Sequence, residues 1–186
     1  TRVIAITDNV QPHEKRPGDT AFTRYFTRAC DAFICMSEKV LADLRPFLKQ
    51  QPVIKADHPL YDNFGDAITQ SDARRKLGID ENKPLLLFFG FIRKYKGLDI
   101  LLRAMKELQD PRMRLLVAGE FYDDASEYLD LVKQLGIAGQ VIFHSDFIPN
   151  EQVKDYFCAA DVVVQPYRNA TQSGVIPIAY HFERPK

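Results

Sequence analysis

Apolar positions along this chain follow two rhythms: short continuous runs, and stretches where apolar residues recur every three or four positions. The second half alternates between them most regularly. Residues 85–89 (Leu-Leu-Leu-Phe-Phe) form an unbroken apolar run, the pattern of a central parallel strand covered on both faces. Positions 97–109 then predict a helix with Leu98, Leu101, Leu102, Met105 and Leu108 facing inward. Strand-like runs follow at 115–119, 141–143 and 161–165. Helical stretches lie between them at 125–135, stopped by Gly136, and at 150–159, capped by Asn150. A last helix is predicted over 173–182, with Pro177 in its first turns, where proline is tolerated.

The first half is less regular. Residues 2–7 read as a buried strand, and 20–28 as a helix capped by Asp19 or Thr20. Its Phe22, Tyr25, Phe26 and Ala29 share one face, read as core rather than as a cofactor-binding stripe. A strand at 32–36 precedes a helix that opens at Ser37, runs to about Lys49 and is disturbed by Pro46. A weak strand follows at 52–56. Residues 58–70 carry Pro59, Asn63 and Gly65 without periodicity and read as a linker, with Asp57, His58 and Pro59 structural. A short helix at 71–77 ends at Gly78. Strands alternating with helices of this length predict an α/β fold, a Rossmann-like parallel sheet with helices on both faces, joined by right-handed crossovers.

Charge narrows the partners. Lys+Arg and Asp+Glu balance at 25 each, so no global field favours nucleic acid. No apolar run reaches the ~20 residues that span a bilayer. No signal peptide is visible at the start. The three cysteines are odd in number, without a CxxC, and read as free thiols in a reducing cytoplasm. The four histidines lack metal-ligand spacing. The chain starts within a strand and stops just after a helix, which reads as a piece of a longer protein.

Two loops carry the candidate chemistry. In an open α/β sheet, ligands bind beyond the carboxyl ends of the strands. Residues 90–97 (Gly-Phe-Ile-Arg-Lys-Tyr-Lys-Gly) place Arg93 and Lys96 there beside Gly90 and Gly97. A guanidinium grips phosphate through two bonds and an ammonium acts as a mobile charge. Solvated loop cations are the alternative. Residues 166–174 place Thr171, Gln172, Ser173 and Gly174 at a helix start, where first-turn N–H groups can seat an anion; a plain capped loop is the alternative. Glu120, at another strand end, is a candidate for a ribose or a base edge. His13, in the loop after the first strand, is a candidate general base or sugar-hydroxyl partner. No G-x-G-x-x-G follows a strand, which disfavours a nicotinamide dehydrogenase.

Residues 90–104 (Gly-Phe-Ile-Arg-Lys-Tyr-Lys-Gly-Leu-Asp-Ile-Leu-Leu-Arg-Ala) resemble the G-x-I-R-x-Y-K-G-x-x-x-L-L-x-A segment of the GT-B retaining glycosyltransferases, group 1 (family 4). Residues 116–120, 161–167, 170–174 and 182–185 follow in that family's order. The resemblance covers about 85–186 and extends loosely over 1–60. It implies two facing Rossmann-like domains. Residues 1–57 would end the N-terminal, acceptor-side domain, 58–70 would link, and 71–186 would form a nucleotide-sugar-binding domain incomplete at its C-terminus. It further implies Arg93 and Lys96 on the donor diphosphate, the Ser173–Gly174 helix start on the distal phosphate, and Glu120 near the nucleoside.

Acceptors implied are a glycan, a lipid-linked molecule or a small molecule, with peripheral membrane association of the intact protein as an open partner class. The nucleotide-sugar is substrate, and neither cofactor nor metal is expected. The piece alone is expected to transfer nothing. One departure stands out. The family's Glu-x7-Glu pair falls on Ala170 and Ile178, which cannot accept a ribose hydroxyl, so Thr171 and Gln172 become candidates for that contact. A non-catalytic α/β binding module and a sugar-nucleotide epimerase of similar architecture are the competing readings. Arg93 and Lys96 give the ligand edge the wrong sign for the Mg²⁺ site of a receiver module.

Overall fold

The computed structural model describes residues 1–12, 16–57, 61–122, 124–168 and 173–186. They divide into two compact units. Residues 1–12, 16–57 and Ser173 fall in the first, and 61–122, 124–168 and 174–186 in the second. Each holds its own parallel sheet.

In the first unit, β1 (Ile4–Thr7), β2 (Ala32–Cys35) and β3 (Val53–Lys55) lie side by side in that order. Helix α1 (Asp19–Ala29) follows β1, and α2 (Glu38–Leu44) follows β2. The Ser37 hydroxyl accepts from the Val40 N–H and caps α2. Pro46 tightens the end of that helix into a 3-10 turn, Arg45–Phe47. The core is small: Ala5, Cys30, Phe33, Cys35, Val40 and Leu44.

Three expectations fail here. Strand β1 is buried on one face only, because Ile4 and Ile6 on the other face are 61% and 68% exposed. Helix α1 turns the opposite way from its apolar stripe. Phe22, Tyr25 and Phe26 are exposed, while Thr23 and Thr27 are buried. The buried threonines lose little by this, because their hydroxyls donate to helix carbonyls: Thr23 to Asp19 at 2.8 Å and Thr27 to Arg24 at 3.2 Å. No side chain caps α1. Its N-cap is Gly18, and the Asp19 carboxylate instead accepts from the Arg16 N–H.

The second unit is the larger. Its strands run in the order β6-β5-β4-β7: β4 (Leu85–Phe89), β5 (Arg114–Ala118), β6 (Val141–His144) and β7 (Val162–Val163). Helices α3 (Gln70–Leu77), α4 (Leu98–Leu108), α5 (Ser126–Leu135), α6 (Asn150–Ala159) and α7 (Val175–His181) complete it. The strand period of two sorts the run at 85–89 between two cores. Leu85 and Leu87 join Leu116, Ala118, Phe157 and Ile178 on one face. Leu86 and Phe88 join Leu115, Val117, Leu102 and Met105 on the other. The doubly covered sheet is thus an α/β layer with helices on both faces.

Smaller differences have local causes. Leu108, at the last turn of α4, is 55% exposed, while Leu98, Leu101, Leu102 and Met105 are buried. Asn150 is the first helical residue rather than the cap, which is Pro149 without a side-chain bond. β7 pairs over two residues only, and α7 begins at Val175 with Gly174 as N-cap. Arg74, 4% exposed, ties α3 to the sheet. It donates to the Ala159, Glu81 and Lys83 carbonyls and to Asp161 at 2.8 Å.

Candidate functional site

The site is built where β4 and β5 stop. The Gly90 N–H donates to the Ala118 carbonyl, and Gly119 then passes directly under Gly90. A Cβ on Gly119 would stand 2.5 Å from the Gly90 oxygen, so a side chain there would part the two strand ends. Pairing continues beyond the glycines, with the Ile92 N–H donating to the Glu120 carbonyl and the Tyr122 N–H to that of Ile92. The two strand-end loops are therefore one small extension of the sheet, carrying Gly90, Arg93 and Glu120 on its carboxyl edge.

A 3-10 turn, Lys94–Lys96, then feeds α4 through Gly97, which sits at φ +74. The turn sorts the three cations of the loop. Lys94 points outward and pairs with Glu127 at 3.4 Å. Arg93 stacks on Tyr122, its guanidinium carbon 3.7 Å from the ring centroid. Lys96 turns inward and is only 8% exposed. Among the described residues neither Arg93 nor Lys96 has an acidic partner. Burial, and next the nearby Arg93 charge, pull the Lys96 ammonium down to about 8.

The Lys96 ammonium lies over Gly90, 3.0 Å from where a Cβ would be, and Val175, the first residue of α7, flanks the same point. A side chain at 90 would displace the charge. Tyr61 packs against Gly174, with its ring 3.6 Å from a Cβ position there. Gly90, Arg93, Lys96, Glu120 and Gly174 thus share one edge of the second unit. Helix α7 has seven residues and no side-chain cap, so its dipole is modest, and the charge of the site resides mainly in Arg93 and Lys96. Ser173 precedes Gly174 in the chain but groups with the first unit. His13, Thr171, Gln172 and Ala170 lie outside the described residues. Ile178, on the second position of the family's acidic pair, is buried in the core. Among the described residues no three or more His, Cys, Asp or Glu side chains converge as metal ligands.

Tyr122, Tyr167 and the Arg168–Asp99 pair escaped the sequence reading. Tyr167 lies 5.8 Å from the Lys96 ammonium. Arg168 binds the Asp99 carboxylate across 69 residues. Nothing local in the sequence signals such a pairing.

The family model for glycosyl transferases group 1 matches residues 69–179. The chain belongs to that family. Among curated relatives, a D-inositol 3-phosphate glycosyltransferase of Corynebacterium aurimucosum is 37% identical over 121 residues, 61% of this chain and 28% of the relative. A GDP-mannose:glycolipid 4-beta-D-mannosyltransferase of Xanthomonas campestris is 28% identical over 71% of this chain and 39% of its own. This group 1 chain therefore spans roughly a quarter to two-fifths of the length of such relatives. Among solved structures, Anabaena HepE, crystallised with UDP and glucose, superposes with a TM-score of 0.83 at 16% identity. It covers 99% of this chain and 52% of its own. Sucrose-phosphate synthase of Thermosynechococcus elongatus gives 0.81 at 19% identity, over 98% of this chain and 48% of its own. At such identities these likenesses establish the GT-B fold. No helix among the described residues is long and apolar enough to cross a membrane.

Proposed function

We propose that the whole protein transfers a sugar from a nucleoside-diphosphate donor to an acceptor hydroxyl, with the second unit holding the donor. The observation that carries this reading is Lys96: a lysine only 8% exposed, without an acidic partner among the described residues, beside a second cation at the ligand edge. An unpaired buried charge is costly unless an opposite charge arrives, and a diphosphate supplies it. Membership of a family of glycosyl transferases names the chemistry such an anion would belong to.

The acceptor oxygen forms a bond to the anomeric carbon while the bond from that carbon to the diphosphate oxygen breaks. The electron pair stays on the diphosphate, and the acceptor proton passes to the departing oxygen or to solvent. Negative charge grows on the diphosphate along this path. Two pre-placed cations stabilise it more in the transition state than in the ground state. Arg93, with its ring support from Tyr122, and Lys96 are the residues proposed for this. Gly90 leaves room for the ammonium, and Ser173–Gly174 take the distal phosphate. Glu120 is proposed for the nucleoside, Thr171 and Gln172 for the ribose, and His13 for a sugar hydroxyl.

The stereochemical course proposed is retention, as the resemblance of residues 90–104 implies. Metal is not required in this scheme, because Arg93 and Lys96 supply the charge. The base stays open. The mannosyltransferase relative is named for GDP-mannose and the Anabaena neighbour was crystallised with UDP; the diphosphate is what those donors share. A glycan, lipid-linked or small-molecule acceptor fits the reading, as do a cytoplasmic location and peripheral membrane contact.

The test uses the full-length enzyme. Arg93→Ala and Lys96→Ala should each lower turnover about 10²–10³-fold, by analogy with loss of an oxyanion donor, and EDTA should leave transfer unchanged. Calorimetry with UDP and GDP should show binding lost in both variants. Full activity of both variants would refute the assignment.

A further inference from the structure

We infer that Arg168 is a positioning residue: it clamps the loop bearing Arg93 and Lys96 to the segment leaving β7 and so fixes where the two cations point. This rests on the donor reading of the same edge. The clamp has several independent parts. The Arg168 guanidinium donates to the Lys94 carbonyl at 2.7 Å and to Asp99 at 2.9 Å through the same nitrogen, and its second nitrogen donates to the other Asp99 oxygen. The Arg168 backbone N–H donates to the Tyr95 carbonyl at 2.8 Å. Two residues earlier, the Pro166 carbonyl occupies the place where a Cβ on Gly97 would stand. The Tyr95 and Tyr167 rings meet edge to face at 6.0 Å.

Each contact falls on the 3-10 turn or the residues beside it. Lys94 and Tyr95 offer their carbonyls, Lys96 lies between them and Gly97, and Asp99 stands in the first turn of α4. A free 3-10 turn of three residues is held by few bonds of its own. Here it is pinned on one side by a strand-end pair and on the other by a two-pronged guanidinium. Three of the five N–H donors of the Arg168 guanidinium are spent on this carboxylate and this carbonyl, which fixes the direction of the fork. A planar fork fixes direction as well as distance, which an ammonium in its place would not do.

The test compares Arg168→Ala, Arg168→Lys and Asp99→Asn in the full-length enzyme. Arg168→Ala should lower kcat/KM for the donor by about tenfold or more, by analogy with small misplacements of reacting groups, with folded protein retained by circular dichroism. Asp99→Asn should reproduce the direction of that loss, and Arg168→Lys should not rescue it. The alkaline limb of the kcat/KM profile, expected near 8 if it reports the Lys96 ammonium, should move upward in Arg168→Ala as the loosened ammonium regains water.

Activity falling only in proportion to folded protein would overturn the inference. So would an unmoved alkaline limb, or an Asp99→Asn enzyme as active as wild type. Arg93→Ala and Lys96→Ala separate the two readings. If they are inactive while Arg168→Ala is normal, only the clamp fails; if they are fully active, the donor site itself fails.

Discussion

The two units bury their sheets differently. In the larger unit every residue of β4 packs into one of two cores, Leu85, Leu87 and Phe89 on one face and Leu86 and Phe88 on the other. In the smaller unit Ile6, Ile34 and Ile54 line up in register across three strands, and Ile6 and Ile54 are 68% and 60% exposed. Apolar strand residues thus give a covered sheet in one place and a one-sided sheet in the other. Apolar residues in a strand report a capacity for burial, and whether it is used depends on what packs against that face.

The largest expected effect tests the covered sheet. Phe157 is fully buried against Phe89, 4.9 Å between ring centroids, and against Phe182 at 5.9 Å. Phe157→Ala should cost about 3–5 kcal/mol, as lost transfer energy plus a cavity. Denaturant unfolding of the chain checks it. A cost below about 1 kcal/mol would mean that the core on the Leu85 and Leu87 face is looser than its packing indicates.

Next in size is Lys96, where the covered unit departs from its own rule by burying a charge. Its proton is held at about 8 instead of 10.5. Lys96→Met should therefore stabilise the free protein, by up to about 3 kcal/mol if the whole shift reports on folding, while abolishing diphosphate binding. A site that is destabilising when empty is expected where function requires it. The pH dependence has a definite sign. Between pH 8 and 10.5 the unfolded chain holds more protons at this position than the folded one, so the stability of the free protein rises with pH across that window. Binding a diphosphate favours the charged form, so at pH 8.5–9 it should take up protons, and affinity should fall as pH climbs. Calorimetry in buffers of different ionisation enthalpy measures the uptake; none at that pH would remove Lys96 from the anion's surroundings.

Much of this was readable from local sequence. The run at 85–89 gave β4 to the residue, and Gly78 and Gly136 stopped their helices in the left-handed conformation glycine favours. Arg93 and Lys96 at a strand end pointed to an anion site. Local pattern did not reveal which cation would be buried. In Lys94–Tyr95–Lys96 the two lysines are chemically alike, and only the 3-10 turn sends Lys94 to Glu127 and Lys96 over Gly90. Nor did it reveal Arg74–Asp161 or Arg168–Asp99, whose partners are 87 and 69 residues apart and are joined by topology alone. The rotation of α1 was misread for a related reason. A helical period identifies an apolar stripe but not the face that finds a neighbour, and two threonines able to bond their own helix carbonyls filled the inward positions instead.

The smallest expected effect makes that misreading testable. Phe22 and Tyr25 are 74% and 77% exposed on α1, so truncating them removes little surface that folding has taken out of water. Phe22→Ala and Tyr25→Ala should each change the stability of this chain by no more than about 0.5 kcal/mol. Thr27→Phe, at a position 1% exposed, should instead cost about 1–3 kcal/mol through overpacking. The three variants thus rank the two faces of one helix by the same unfolding experiment. A loss above 2 kcal/mol for Phe22→Ala, with Thr27→Phe tolerated, would mean that α1 turns its aromatic face inward.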